Sequence, residues 1–289
     1  MGETIAVLGT GTMGAPIARN LAKAGFRVRV WNRTHAAAEA IEGVTVADTP
    51  AEAVRGSAFI LTMLPDGRVV AEVAGDALDG AGENTIWIQS STVGVAATER
   101  LAELAARRGV AFVDAPVVGT KEPAERGELT VLASGPEEAL ARCESVFEAI
   151  GQKTVRLGPA GNGTRTKLVL NSWLVTLVEG LAEALALALA RGIGLEPALF
   201  LETIAGGPID VPYAHVKGKL MLAEEFPASF KLRLAAKDAR LVVEAAERAE
   251  LDLPLAETIA ERLERGVELG YGDEDLAATY RTSAPTPGS

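Results

Sequence analysis

The sequence predicts an α/β fold, a doubly wound and mainly parallel sheet, followed by a second domain that is all-α. Three observations predict it. Apolar runs of strand length alternate with helical patterns through residues 1–155, the arrangement that produces a parallel sheet covered by helices on both faces. Three glycines, Gly9, Gly11 and Gly14, cluster in the turn after the first run. Beyond "GPAGNG" (158–163) nearly every segment reads as alanine- and leucine-rich helix.

The strand-length runs are 4–8, 27–31, 59–64, 85–89, 110–113 and 129–133. Helical patterns at 51–54, 69–74 and 96–108 lie between them, and the helix that follows the glycine turn runs to Ala24, with Gly25 as its stop. In the helical half, breaks fall at Gly192/Gly194, at Gly206-Gly207-Pro208 and at Pro227. The expected domains are therefore 1–160, 161–280 and a disordered tail at 281–289, "RTSAPTPGS", which has no core residues. The stretch "VPYAHVKGK" reads as a loop, and Tyr213 and His215 within it receive no catalytic role.

Charge narrows the partners. A net charge of −11 and a pI near 4.9 leave no basic field for nucleic acid or an anionic membrane. One cysteine, Cys143, excludes an internal disulfide and reads as a small apolar residue buried in a helix. Two histidines and one cysteine are too few for a zinc cluster, so no metal is expected. The apolar stretch 168–189 resembles a membrane span, but Asn171, Ser172, Thr176, Glu179 and Glu183 fall on one half of a helix and mark a buried helix of a water-soluble protein. The start, "MGETIAVL", carries neither a basic leader nor a cleavage pattern, and a cytoplasmic protein is expected.

The glycine turn, Gly9-Thr10-Gly11-Thr12-Met13-Gly14, follows a strand and opens a helix. In a dinucleotide site the first glycine permits the tight turn, the second lets the backbone approach a pyrophosphate, and the third lets helix and strand pack closely. Free N–H groups of the helix then point at the phosphates. The first domain is thus expected to be a Rossmann-type dinucleotide binder. The second strand ends on Asn32-Arg33-Thr34 rather than on the acid that bonds the ribose 2′-hydroxyl in NAD sites. Arg33 can fork onto a 2′-phosphate and Thr34 can donate to it, so NADP(H) is the expected cofactor.

Read together, these stretches resemble the β-hydroxyacid dehydrogenase family, with its 6-phosphogluconate dehydrogenase-like cofactor domain, and within it the NADPH-dependent glyoxylate/succinic semialdehyde reductases. The residues that carry the resemblance are the glycine turn with Asn20-Leu21, Val30 to Thr34, Ser91-Thr92-Val93, Asp114-Ala115-Pro116-Val117, Lys121 to Glu125, Gly161-Asn162-Gly163 with Lys167 and Asn171, Lys237-Asp238, and Gly270 to Asp273. The resemblance implies an oxidoreductase that moves a hydride between a nicotinamide and a small aldehyde or β-hydroxy acid. Lys167 is then its catalytic residue and Asn171 the neighbour. Four residues apart, the two share a helix face. An ammonium near a carbonyl oxygen stabilises the charge that a hydride leaves there and then donates its proton.

The same resemblance implies cofactor contacts at Met63-Leu64-Pro65, Thr92 and Lys237, and places Phe230 and Asp238 beside the substrate. Where the family reads Ser-Gly after Asp-Ala-Pro-Val, this chain has Val118-Gly119-Thr120. The hydroxyl that would orient a substrate carboxylate is gone at Val118, while the Gly119 and Thr120 amides and the Thr120 hydroxyl stay. A pocket more apolar than that of a glyoxylate reductase is expected. A homodimer or larger assembly is also expected, from the apolar surface of the helix 164–191. Two alternatives stand at this point: an imine reductase-like enzyme, and a non-catalytic NADPH-binding protein.

Overall fold

The alternation in the first half becomes a six-stranded parallel sheet. Strands β1 (Thr4–Leu8), β2 (Arg27–Trp31), β3 (Thr45–Val46), β4 (Phe59–Thr62), β5 (Ile86–Gln89) and β6 (Ala111–Asp114) pair in the order β3-β2-β1-β4-β5-β6. Between them run α1 (Gly14–Lys23), α2 (His35–Glu39), α3 (Pro50–Val54), α4 (Gly67–Leu78) and α5 (Val95–Arg107). Alternate residues of each strand feed opposite faces. Ile5 and Val7 pack with Ile17, Leu21 and Val30, whereas Ala6 and Leu8 pack with Val54, Val70 and Trp87.

The chain continues through β7 (Val117–Val118), α6 (Lys121–Arg126), β8 (Leu129–Ala133), α7 (Glu137–Arg142), α8 (Glu144–Ile150) and β9 (Gly151–Arg156). The run 129–133 does not extend the parallel sheet as expected. It forms the centre of a separate three-stranded sheet, antiparallel to β7 and parallel to β9. β7 is only two residues long and β9 is polar, "GQKTVR", so neither carries an apolar run. Cys143 is buried as expected, but at the junction of α7 and α8 rather than within a helix; burial pushes its thiol up to about 12.

In this computed structural model, which describes residues 2–189 and 193–283, the chain divides into two compact units, Met1–Lys167 and Leu168–Ser289. The division falls inside α9 (Asn162–Leu189). The second unit adds α10 (Ala198–Ile204), α11 (Pro212–Ala223), α12 (Leu232–Arg248), α13 (Pro254–Gly266), a π-type turn Val267–Tyr271 and a 3-10 helix Leu276–Thr282. Its core joins Val175, Val178, Leu185, Met221, Leu232, Val243, Leu263 and Tyr280.

Two expectations change here. "VPYAHVKGK" is not a loop but the start of α11, with Pro212 at a position where a missing N–H costs nothing. Of the tail expected at 281–289, Arg281 and Thr282 belong to the 3-10 helix and 284–289 lie outside the described residues. Ala190 to Gly192, at the expected end of the long helix, also lie outside them. By length and composition α9 could cross a membrane, with hydropathy 1.6 over its most apolar window, of which 44% is buried. Its buried polar residues have protein partners instead: Glu179 pairs with Arg262 and accepts from Thr279 Oγ1 at 2.7 Å.

Candidate active site

The glycine turn opens from the carboxyl end of β1, where strand order reverses between β1 and β4, the place at which open α/β sheets leave a crevice. Gly9 has φ 102°, and a Cβ there would lie 2.4 Å from the Met63 carbonyl oxygen. At Gly14 a Cβ would lie 1.9 Å from Gly9 O. Both glycines are demanded by the fold itself. Gly11 is different: a Cβ there meets nothing within 4 Å. Packing leaves room for a side chain at Gly11, so the fold itself does not require glycine there. α1 has no acidic residue in its first turn and Lys23 in its last, so no carboxylate of that turn offsets its positive end. Thr12 is exposed and Met13 half-buried beside it.

The edges of neighbouring strands meet the turn. Met63 N donates to Leu8 O at 2.9 Å, and Leu64 N donates to Ser91 Oγ at 2.8 Å. Ser91 is fixed by Gln89, whose Oε1 accepts from Ser91 N and whose Nε2 donates to Ser91 O, each at 2.8 Å. The structure thus joins the glycine turn, Met63-Leu64-Pro65 and Ser91-Thr92 at one edge of the sheet. Asn32 braces this edge: its Oδ1 accepts from Thr10 N at 3.1 Å and its Nδ2 donates to Thr34 O at 3.0 Å. Both ends of the amide are used by the protein. Arg33 and Thr34 are exposed, and among the described residues no hydrogen bond or ion pair engages the Arg33 guanidinium. His35, at the start of α2, lies 3.3 Å from both Glu39 and Asp48.

At the end of β6, Asp114 is fully buried and fastens the first turn of α9. Its Oδ2 accepts from Thr164 N at 2.8 Å and its Oδ1 from Thr164 Oγ1 at 2.7 Å, while Gly163 N donates to Ser134 Oγ at 2.9 Å. Thr98 Oγ1 lies 3.0 Å from Thr164 Oγ1. Burial pushes the Asp114 carboxyl above the usual carboxylate range, and the Thr164 and Ser134 bonds pull it back. Lys167, half-buried, follows Thr164 by one helical turn. Asp114 lies in a stretch that carries the family resemblance but has no role assigned from the sequence. A charged residue closing the apolar run "AFVDAPV" was the available signal.

Val118 lies in β7 opposite Thr130, and Gly119 has φ 132°, with Leu129 Cδ2 2.7 Å from where its Cβ would be. Thr120 precedes α6, and its hydroxyl makes no capping bond. In the second unit, Asn171 Nδ2 donates to Asp238 Oδ2 at 2.7 Å, and Lys237 Nζ lies 2.7 Å from Asp238 Oδ1. Phe230 packs half-buried against the helical core. One polar cluster escaped sequence reading: Lys217, fully buried on α11, donates to Asp275 Oδ1 at 2.6 Å, with Ser229 on the other carboxylate oxygen. The spacing of Ala214, Lys217-Gly218 and Met221, all buried, is the helical signal that was available.

Residues 4–158 match the NAD-binding domain of 6-phosphogluconate dehydrogenase, and residues 161–283 match the NAD-binding domain described for NADP-dependent 3-hydroxyisobutyrate dehydrogenase. The chain belongs to the β-hydroxyacid dehydrogenase family. It is an NAD(P)-dependent oxidoreductase of that family. Among curated relatives, the Bacillus subtilis oxidoreductase YfjR is 37% identical, over 96% of this chain and 98% of the relative. The chloroplastic glyoxylate/succinic semialdehyde reductase 2 of Arabidopsis thaliana is 31% identical, over 95% and 78%. A solved structure of Mycobacterium tuberculosis 3-hydroxyisobutyrate dehydrogenase with L-serine is 31% identical, with a TM-score of 0.88 over 98% of this chain and 99% of that one.

Proposed function

We propose that this family member uses NADPH to reduce a small aldehyde of the semialdehyde or oxo-acid type to the hydroxy acid, with Lys167 as general acid in that direction and general base in reverse. The observation that carries the reading is a shared edge. The α9 turn before Lys167 is fastened to the carboxyl end of β6, and the glycine turn opens from the carboxyl end of β1 in the same sheet. The bound nicotinamide supplies the hydride. Lys167 Nζ offsets the negative charge that develops on the substrate oxygen and passes a proton to it, and Asn171 orients that exchange.

NADP(H) preference is assigned to Arg33 and Thr34, whose exposed side chains follow Asn32 at the position where NAD sites carry an acid. The residues assigned to the cofactor are Gly9, Gly11, Thr12, Met13, Gly14, Asn32, Arg33, Thr34, Met63, Leu64, Pro65, Thr92 and Lys237. Val118, Gly119, Thr120, Phe230 and Asp238 are assigned to the substrate side. With Val118 in place of a hydroxyl, longer or less polar aldehydes are favoured over glyoxylate. The enzyme acts in the cytoplasm as a homodimer or larger oligomer. Support for association is the apolar α9 surface, with Val169 72% and Trp173 62% exposed.

The test follows NADPH consumption with glyoxylate, tartronate semialdehyde, succinic semialdehyde, simple ketones and a cyclic imine. Lys167→Ala is expected to abolish turnover while NADPH still binds, and Asn32→Asp with Arg33→Ala to erase the preference for NADPH over NADH. Substantial turnover by the lysine variant, or preference for the imine, overturns the reading.

A further inference from the structure

Asn171 and Asp238 meet inside the second unit, at 2% and 4% exposure. A primary amide has a donor end and an acceptor end, whereas an ionised carboxylate only accepts. With Asn171 Nδ2 donating to Asp238 Oδ2 at 2.7 Å, turning the amide over would set oxygen against oxygen where water does not reach. That flip is closed by the cost of two facing acceptors in a buried place. Asp238 is restrained in its turn. Its Oδ1 is 2.7 Å from Lys237 Nζ, an ion pair without hydrogen-bond alignment, since this buried oxygen has no aligned donor.

We infer that Asp238 is a positioning residue that locks the Asn171 amide with its carbonyl oxygen presented as an acceptor. Position 171 therefore favours a hydrogen-donating partner. On the same helix face one turn earlier stands Lys167. In the reducing direction the group that can donate is the Lys167 ammonium, since an aldehyde oxygen carries no proton. In the oxidising direction it is the hydroxyl of a hydroxy acid. Beside the substrate, Asp238 also acts through Asn171. This inference rests on the reading of the chain as a Lys167-dependent carbonyl reductase.

Asp238→Asn and Asp238→Ala separate the roles. Both lose the charge facing Lys237, so that charge does not distinguish them. An asparagine at 238 still offers a carbonyl oxygen to Asn171 Nδ2, and an alanine offers nothing. The asparagine variant is expected to keep at least tenfold more kcat than the alanine variant, with equal NADPH KM in the two. Thermal unfolding with and without NADPH confirms that each variant is folded. A second readout is independent of turnover. The chain has five asparagines, so selective 15N-asparagine labelling resolves the side-chain amides, and the Asn171 signal is identified by its loss in Asn171→Asp. Its protons should exchange slowly in the wild type and in Asp238→Asn, and at least tenfold faster in Asp238→Ala. Equal exchange in all three, or equal kcat in the two variants, overturns the inference. If the wild type reduces no carbonyl compound, the proposed reaction fails, and the exchange rates still decide whether the lock exists.

Discussion

Replacing Asp114 by alanine tests how the α9 turn before Lys167 is held. Alanine leaves the buried Thr164 N–H, now bonded at 2.8 Å, without an acceptor, and a stranded buried donor costs about 1–3 kcal/mol. The Thr164 hydroxyl keeps Thr98 Oγ1 at 3.0 Å. Loss of a carboxylate at the start of a helix adds about 0.3–1 kcal/mol, so the whole loss is roughly 1–4 kcal/mol. Asparagine is a milder change. With its oxygen toward Thr164 N and its amide nitrogen toward Thr164 Oγ1, every contact has a donor and an acceptor, and the loss is about 1 kcal/mol. Urea unfolding gives the stability difference; on the role proposed for Lys167, kcat should also fall about 10–100-fold in Asp114→Ala, because small misplacements of reacting groups are costly. A loss under about 1 kcal/mol for alanine, or equal losses for both variants, refutes the reasoning. The pH dependence has a definite sign. The folded carboxyl holds its proton above the ordinary value of 3.8, so wild-type stability relative to Asp114→Asn falls as pH rises from 3.8 through the folded value.

Gly11→Ala, with nothing within 4 Å of the new methyl, should leave stability within about 0.5 kcal/mol yet weaken NADPH binding by about tenfold or more; titration calorimetry and thermal melts check the two halves. Gly14→Ala, facing a carbonyl oxygen at 1.9 Å, should instead lower the melting temperature. Lys217→Met strands the fully buried Asp275 and should cost about 3–5 kcal/mol by urea unfolding, whereas Tyr213→Phe, which removes a buried hydroxyl without a partner, should be neutral or stabilising. Asp275 is raised by burial, but the Lys217 ammonium and its bonds outweigh this and hold it below 3.8; its stabilisation is present above 3.8 and lost as pH falls below, so acid unfolding of Asp275→Asn should be less steep there. Trp173→Glu should shift the sedimentation coefficient toward a monomer.

Strands β1, β4, β5 and β6 were readable because burial on both faces leaves a short, mostly apolar run, and β2, RVRVW, by its apolar alternation. β3 and β7 have two residues each, too few for any period, and β9 is polar. α11 was hidden by two apparent breakers. Pro212 sits where a helix tolerates it, and Gly218 is there because a Cβ would lie 2.7 Å from Leu201 Cδ1, a close approach between α10 and α11. The glycine turn could be read because its demands are local. The Asp114 carboxylate could not, since its partner Thr164 is 50 residues away. The Lys217–Asp275 pair, 58 residues apart, was hidden for the same reason.

Asn32 spends one end of its amide on Thr10 and the other on Thr34. An aspartate could take over the first duty but would turn an oxygen toward the Thr34 carbonyl in the second. The residue that closes β2 thus has two duties at once, one as acceptor and one as donor, and a primary amide fills both where a carboxylate fills only the first.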